Sequence, residues 1–320
     1  DECSNLTSVV FATGSRLTTI GDEAFSSTAI INLVIPATVT TIGNNAFGGA
    51  ESAPNTTLTS VSFEEGSRLT VMGQKMFYNC TALTSVVLPA NLTEIGDYAF
   101  YYCSALESID IPTSVTAIGD RAFGRCSALT SVELPAGLTT IRDYAFYLCG
   151  ALTSVNIPAS VTSIGNAAFY GCENITSVSI TNLLAWLNID LASPDSNPFC
   201  EKAKLYLNGE ELTSIVIPDS VTEIKKNVFA EFAALQSVTL HDNVASIGEN
   251  AFYWCTSLSS ISIPEAVTSI SEFAFAKTAL QTVTIHNKIT DIGRSAFSGC
   301  SALTSVVFAD GSQLTNIGAH

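Results

Sequence analysis

The chain has 320 residues, of which 47% are apolar, and it carries 13 basic against 29 acidic side chains. A formal net charge of −16 argues against nucleic acid or an anionic membrane surface as a partner. Apolar residues come one or two at a time among Ser, Thr and Gly, so no run approaches the roughly 18 residues that a membrane span requires. We therefore expect no membrane insertion.

Phenylalanine recurs along the chain at a nearly fixed interval. After Phe25 and Phe47, the interval is 23 residues from Phe77 to Phe169. Members of the regular run are Phe77, Phe100, Phe123, Phe146 and Phe169, and cysteines follow in parallel at Cys80, Cys103, Cys126, Cys149 and Cys172. A period in the twenties predicts a solenoid in which each repeat is one coil stacked on the next.

One repeat predicts two strands and a turn. Val132 alternates with Ser131 and Glu133 as in a short half-buried strand, which Pro135 ends. The following LTTI is a second extended segment. A polar residue then opens a turn that closes with Ala and Phe146, and we expect it to accept backbone N–H groups at the start of a short 3₁₀ turn.

The repeat is interrupted around residues 181–211. Leu183, Leu184, Trp186 and Leu187 predict a short helix, SPDSNP a loop, and KLYL a strand that ends in a turn at Asn208 and Gly209. Phe199 is interpreted as one more anchor of the series. Regular coils resume at Leu212, so the chain is expected to form a single solenoid over residues 1–320. Because both ends cut a repeat, we expect it to be part of a longer protein.

Nearly the whole chain follows the pattern CxxLTSVxIPxxVTxIGxxAF. In this pattern it resembles the BspA-like group of leucine-rich repeats, found on bacterial and protozoan cell surfaces. The passage from NPF to LYLNGEELTSIVIPDSV is similar to an interruption that recurs in that group. The resemblance implies a curved right-handed solenoid with a parallel sheet on its concave side, secretion, and adhesion to host or neighbouring-cell proteins. It implies no reaction.

Two columns of residues and the three histidines invite a chemical interpretation. The cysteine column is interpreted as core packing, because Phe232, Thr28 and Thr278 occupy the same position in other coils. Thiols arranged in a straight column also do not converge on a metal ion. An occasional disulfide between coils stays open. A threonine column suggests ice binding, but the neighbouring column does not match it. No metal site, cofactor or catalytic residue is predicted, and the three histidines fit no catalytic motif.

Two surfaces are candidates for binding. On the expected concave sheet the outward residues are small and nearly uncharged, with Asp110 and Glu133 as one acidic spot; the alternative is a plain solvated face. Eight of nine tyrosines lie within two residues of an anchor phenylalanine, so they should form an aromatic strip along one edge. Its densest part comprises Tyr98, Tyr101, Tyr102, Tyr144 and Tyr147. Tyrosine is common at interfaces, although these rings could instead pack against neighbouring coils.

The sequence therefore predicts a leucine-rich-repeat solenoid of about a dozen coils, mostly β, with no enzymatic activity. The first hypothesis for its function is an extracellular or cell-surface adhesion module that binds extracellular or host proteins, such as matrix proteins. The second is a structural spacer that displays a functional domain elsewhere in a longer chain. We expect the protein to be a monomer.

Overall fold

In a computed structural model, residues 3–200 and 202–319 are described, and they form a β-solenoid of about 13 coils with almost no helix. The predicted fold class is confirmed. By the density of their internal contacts, the residues divide into two compact units, one ending at Asn174 and the other beginning at Ile175. That residues 1–320 form a single domain stays a prediction.

The first unit alternates longer and shorter strands. They are β1 (Thr19–Ile20), β2 (Asn32–Ile35), β3 (Thr41–Ile42), β4 (Ser60–Phe63), β5 (Ser85–Val86), β6 (Glu94–Ile95), β7 (Ser108–Asp110), β8 (Ala117–Ile118), β9 (Ser131–Glu133), β10 (Thr140–Ile141), β11 (Ser154–Ile157) and β12 (Ser163–Ile164). One side of the coils carries the sheets β2-β4-β5 and β7-β9-β11, and another carries β1-β3 and β6-β8-β10-β12.

Equivalent residues of successive coils lie side by side. Between β7 and β9, for example, Ile109 pairs with Val132 and Asp110 with Glu133 in a parallel register. In each strand the central residue, Ile109 or Val132, points inward and is buried, and the residues on either side of it are exposed. The strands therefore follow the period of two that the sequence predicts. Any column read from the sequence is therefore a physical column in this unit.

The core of the first unit is a stack of phenylalanine rings. Phe77, Phe100, Phe123 and Phe146 are fully buried. Successive ring centroids from Phe77 to Phe169 lie 5.2 to 5.4 Å apart, and the rings are nearly parallel. Each ring thus covers a face of the next, which explains why the repeat places a large aromatic residue at this one position.

The turns around each phenylalanine differ from the predicted 3₁₀ geometry. They are successive β-turns, as where Ala99 N donates to Gly96 O, and Tyr98, the third residue of that turn, has φ +57°. The left-handed conformation directs the Tyr98 N–H to Asp120 O of the next coil, at 2.7 Å. A 3₁₀ turn would direct its N–H groups along its own axis instead, so the ladder between coils decides the turn type.

Polar side chains also form bonds from one coil to the next. The Asp97 carboxylate accepts the backbone N–H of Asp120 at 2.9 Å, and Asp143 accepts that of Asn166 at 2.7 Å. The sequence correctly predicts that this position accepts backbone N–H groups. The donor, however, belongs to the following coil rather than to the residue's own turn.

The threonine column caps backbone carbonyls. The Thr139 hydroxyl donates to Thr116 O at 3.0 Å, and equivalent bonds recur along both units. Each hydroxyl strengthens the contact between adjacent coils. This gives the column a structural role that does not involve ice.

We predict that Thr139→Val lowers the free energy of unfolding by about 1 kcal/mol, since the isosteric side chain cannot donate this bond. Denaturant unfolding measures the loss. Thr140→Val is the matched control, because Thr140 is the next residue along the chain, the first of β10, and the described structure gives its hydroxyl no bond. Equal losses in both variants would contradict a role for the hydroxyl ladder.

The second unit contains β13 (Ser177–Ile180), α1 (Leu183–Leu187), β14 (Asp190–Leu191), a 3₁₀ helix (Pro194–Ser196), β15 (Lys204–Leu207), β16 (Glu210–Leu212), β17 (Ser214–Val216), β18 (Glu223–Ile224), β19 (Ser237–Thr239), β20 (Ser246–Ile247), β21 (Ser269–Ile270), β22 (Thr282–Ile285), β23 (Asp291–Ile292), β24 (Ser305–Phe308) and β25 (Asn316–Ile317). Parallel pairs are β13-β15, β17-β19, β18-β20, β21-β23, β22-β24 and β23-β25.

The predicted helix, strand and turn of the insert are confirmed. Asn182 caps α1 by accepting the backbone N–H of Ala185 at 3.0 Å. Strand β15 takes the place of a longer strand beside β13, and the turn at Asn208 and Gly209, both with positive φ, folds β16 back antiparallel to it. Since β16 covers the edge of β15, the sheet of longer strands is interrupted here and begins again with β17.

The interpretation of Phe199 as an equivalent anchor is wrong. Its ring stacks on Phe232 with centroids 4.6 Å apart, whereas Phe229 stacks on Phe252. Phe232 occupies the cysteine position of its coil. The insert therefore shifts its aromatic residue into the cysteine column, and Trp186 packs against Phe199 edge to face at 5.6 Å.

The cysteine column packs in the core, as predicted. Cys103, Cys126 and Cys149 are fully buried, and each thiol donates to the carbonyl of the phenylalanine 26 residues earlier, at 3.1 Å. Burial raises the pKa of these thiols well above its usual value. No disulfide forms in the part of the chain that the structure describes.

Candidate functional site

The predicted tyrosines of the first unit lie together at the phenylalanine turns. Tyr101 stacks on Tyr78 with centroids 5.6 Å apart and contacts Tyr98 and Tyr102 edge to face. In the adjoining coils, Tyr147 contacts Tyr144 and stacks on Tyr170 in the same way. The rings thus pack on one another and also retain exposed surface, with Tyr102 41% and Tyr170 49% exposed.

Basic side chains stand between the tyrosines in the same columns. The residue two places before each anchor phenylalanine is Lys75, Tyr98, Arg121 and Tyr144 in turn, so cation and ring alternate. The Arg121 guanidinium carbon lies 4.3 Å from the Tyr144 ring centroid and 5.5 Å from that of Tyr98. Lys75 Nζ lies 5.7 Å from the Tyr98 ring centroid. Each contact of this kind contributes about 0.5–1 kcal/mol when exposed.

A second arginine fixes the other rings. The Arg125 guanidinium carbon lies 5.4 Å from the Tyr102 ring centroid and 5.7 Å from that of Tyr147, and its Nε donates to the Tyr101 hydroxyl at 3.1 Å. Gly124 makes room for Tyr101, because a Cβ there would lie 2.9 Å from Tyr101 Cδ2. The missing side chain therefore allows Tyr101 to lean toward Arg125.

These residues enclose a cleft of about 730 Å³. We call it the tyrosine cleft; its walls are Glu51, Pro54, Tyr78, Asn79, Thr81, Tyr98, Tyr101, Tyr102, Arg121 and Arg125. Burial, followed by the charge of Glu51, raises the pKa of Tyr78. The phenol of Tyr78 thus stays protonated and can donate a hydrogen bond.

The structure does not bring every predicted site residue to this cleft. Tyr98, Tyr101 and Tyr102 line it, and Tyr144 and Tyr147 lie in the adjoining coils. Asp110 and Glu133 are exposed neighbours on strands β7 and β9 and do not line the cleft. Arg121 and Arg125 also line the cleft and are not among the predicted site residues, although their positions in the tyrosine columns, in the segment RAFGRC, indicate that they lie beside the rings.

The second unit contains a smaller pocket with an unusual carboxyl group. Glu231 is partly buried in a pocket of about 270 Å³, together with Asp195, Asn250, Tyr253 and Phe273. Burial, followed by the negative charge of Asp195, raises the pKa of Glu231 to about 7. Sequence alone gives no indication of this pair, because the insert brings Asp195 to a coil 36 residues further along the chain.

The described residues hold no group of three or more His, Cys, Asp or Glu side chains placed to bind a metal ion. His241 and His286 each form a hydrogen bond to a backbone carbonyl of the preceding coil. Their Nε2 atoms lie 2.9 Å from Pro218 O and 3.0 Å from Pro264 O, respectively. Among the described residues there is also no helix with the length and apolar character needed to cross a membrane.

Comparison with known proteins identifies the repeat. The family model of the BspA type leucine rich repeat region matches residues 1–53, 49–176 and 202–320, in six copies. The chain belongs to the BspA-type leucine-rich-repeat family. The resemblance inferred from the CxxLTSVxIPxxVTxIGxxAF pattern is therefore confirmed.

Solved structures agree with this family. A leucine rich cell surface protein from Faecalibacterium prausnitzii A2-165 is similar at 30% identity over 97% of this chain and 85% of its own, with a TM-score of 0.57. The pneumococcal vaccine antigen PcpA is similar in fold at 18% identity, covering 95% of this chain and 71% of its own, with a TM-score of 0.55. A comparison with curated proteins gives no significant match. Proteins of this repeat family are non-enzymatic binding or structural proteins. Membership of the family therefore indicates a role in protein interaction or at a surface.

Proposed function

We propose that this BspA-type chain is a non-enzymatic adhesion and recognition module, extracellular or at the cell surface, that binds other proteins through its tyrosine strip. The observation that carries the proposal is the strip itself, in which Arg121 stands between Tyr98 and Tyr144 and Arg125 bonds to Tyr101. All three tyrosines keep part of their surface in solvent. Tyrosine and arginine are enriched among the residues that dominate binding energy at interfaces.

The rigidity of the strip supports the same proposal. Tyr101 is held by Tyr78, Tyr98 and Arg125, so little side-chain freedom remains to be lost when a partner binds. The outward faces of β7 and β9 give less to a partner: they present Ser108 and Ser131 beside the exposed pair Asp110 and Glu133. A small, nearly uncharged face offers few anchors for binding.

The proposal is tested with the 320-residue chain and a panel of matrix and plasma proteins, by biolayer interferometry at physiological salt. For a partner that binds saturably, we predict that Tyr101→Ala and Tyr147→Ala each weaken the affinity by about tenfold or more. Tyr206→Ala is the matched control, because Tyr206 is the one tyrosine outside the anchor turns. If both strip variants bind like the unmodified chain while circular dichroism shows normal folding, the strip is not the binding surface.

A structural spacer is the second candidate function. It is favoured by the mutual packing of the tyrosines, since rings such as Tyr101 and Tyr147 are partly covered by neighbouring coils and contribute to stability. If the chain is a spacer, it should bind no member of the panel saturably. The same variants would then lower the free energy of unfolding alone.

A further inference from the structure

The tyrosine cleft concentrates positive charge in a strongly acidic protein. Within the residues that the structure describes, neither Arg121 nor Arg125 forms an ion pair, whereas Arg142 pairs with Glu94 and Asp97 at 3.3 Å. Lys75 lies beside the same rings and is likewise without an ion pair there. Two guanidinium groups and the single carboxylate of Glu51 line the cleft, so it keeps a net positive charge within a chain of net charge −16 and is a local site for an anion.

The two guanidinium groups are oriented and still have donors to offer. Arg121 donates one N–H to the Tyr98 hydroxyl at 2.9 Å, and Arg125 donates one to the Tyr101 hydroxyl at 3.1 Å. A guanidinium has five N–H donors in a fixed plane, so each retains several. Because the tyrosines fix that plane, a planar carboxylate can be bound at little entropic cost.

The remaining walls suit a sugar ring. Tyr78, Tyr101 and Tyr102 provide aromatic surface and hydroxyl groups, and Asn79, Thr81 and Glu51 add polar groups around it. A sugar has apolar ring faces and a rim of hydroxyls, which this mixture of surfaces complements. The volume of about 730 Å³ lies within the usual range for small-ligand sites, roughly 300–1,000 Å³.

We propose that the tyrosine cleft binds a sugar acid, with its carboxylate held by Arg121 and Arg125 and its ring against the tyrosines. The net charge of the chain favours a saccharide with a single carboxylate over a polyanion, which the rest of the surface repels. The inference goes beyond the proposed function, since protein binding along the strip does not require a sugar.

The test compares 3′-sialyllactose with lactose by isothermal titration calorimetry on the 320-residue chain. We expect the acidic sugar to bind at least tenfold more tightly, because only it offers a carboxylate to the arginines. Arg125→Met should abolish this preference. Arg68→Met should retain it, because Arg68 is exposed, lies outside the cleft and gives the same change of charge. If Arg125→Met does not fold by circular dichroism, Arg121→Met carries the same test.

Three results would overturn the inference: equal affinity for the two sugars, no binding of either, or a preference that Arg125→Met and Arg68→Met affect alike. A short glutamate peptide that competes as strongly as sialyllactose would overturn it in favour of an acidic polypeptide ligand. Failure here is separate from failure of the proposed function, because capture of a protein partner can persist in a chain that binds no sugar.

Discussion

Truncation of one stacked ring, Phe123→Ala, is expected to lower the free energy of unfolding by about 3–5 kcal/mol. Phe123 is fully buried, and its ring lies 5.2 Å from that of Phe100 and 5.4 Å from that of Phe146. Alanine would leave a cavity bounded by both rings, and the fixed backbone ladder between coils limits how far they can collapse into it. Denaturant unfolding followed by far-UV circular dichroism measures the loss.

Phe297→Ala is the matched control for this variant. Phe297 is partly exposed, and the described residues give it one stacking partner, Phe275, at 5.6 Å. Its truncation should cost less than half as much as that of Phe123. Losses of equal size at the two positions would contradict the view that stacking on both faces sets the energy of the aromatic column.

Stability of the second unit should fall as the pH rises from about 4.5 to 7. The pKa of Glu231 is about 7 in the folded chain, against an ordinary value of 4.5. Between these values the unfolded chain loses the proton while the folded chain keeps it, so folding becomes less favourable at higher pH. At 1.36 kcal/mol per pKa unit, Glu231 destabilises the fold by about 3 kcal/mol at pH 8 relative to pH 4.

The Glu231→Gln variant isolates this effect, since glutamine remains neutral. We expect it to be more stable than the unmodified chain at pH 8 and nearly equal to it at pH 4, as measured by thermal unfolding at both pH values. Glu223→Gln is the control, because Glu223 is exposed in β18. A stability difference for Glu231→Gln that does not change between pH 4 and pH 8 would show that the carboxyl group titrates normally.

The sequence predicts those features that depend on periodicity. Phe100, Cys103 and Ile109 fall in columns because identical or similar residues recur at a fixed interval, and stacking similar coils is the arrangement that buries them all. The tyrosine strip is predicted for the same reason. A periodic pattern does not indicate in which coil a side chain finds its hydrogen-bond partner. Only the structure shows that Asp97 accepts an N–H from the next coil and not from its own turn.

Features that depend on non-periodic segments are not predictable in this way. Phe199 lies 30 residues from the neighbouring phenylalanines Phe169 and Phe229, and the insert places its ring on Phe232 and not on an anchor. The proximity of Asp195 to Glu231 also depends on how the insert folds, which no repeat specifies. In the tyrosine cleft, the sequence identifies the rings but not the space left by Gly124, because an absent side chain matters only where a neighbour leans into it.

The threonine hydroxyls bear on how such a chain can change its length. From Thr93 to Thr162 each coil donates the same threonine hydroxyl bond to its neighbour, so the loss of one whole 23-residue repeat would rejoin chemically equivalent surfaces, with Thr139 reaching Thr93 in place of Thr116. Gain or loss of whole repeats, by duplication or deletion of gene segments, therefore preserves the hydrogen bonds between coils. The tyrosine cleft would not be preserved: without the coil that carries Arg121 and Arg125, Tyr98 would contact Tyr144 with no cation between them. The proposed recognition thus depends on the order of the coils, whereas folding depends on their similarity.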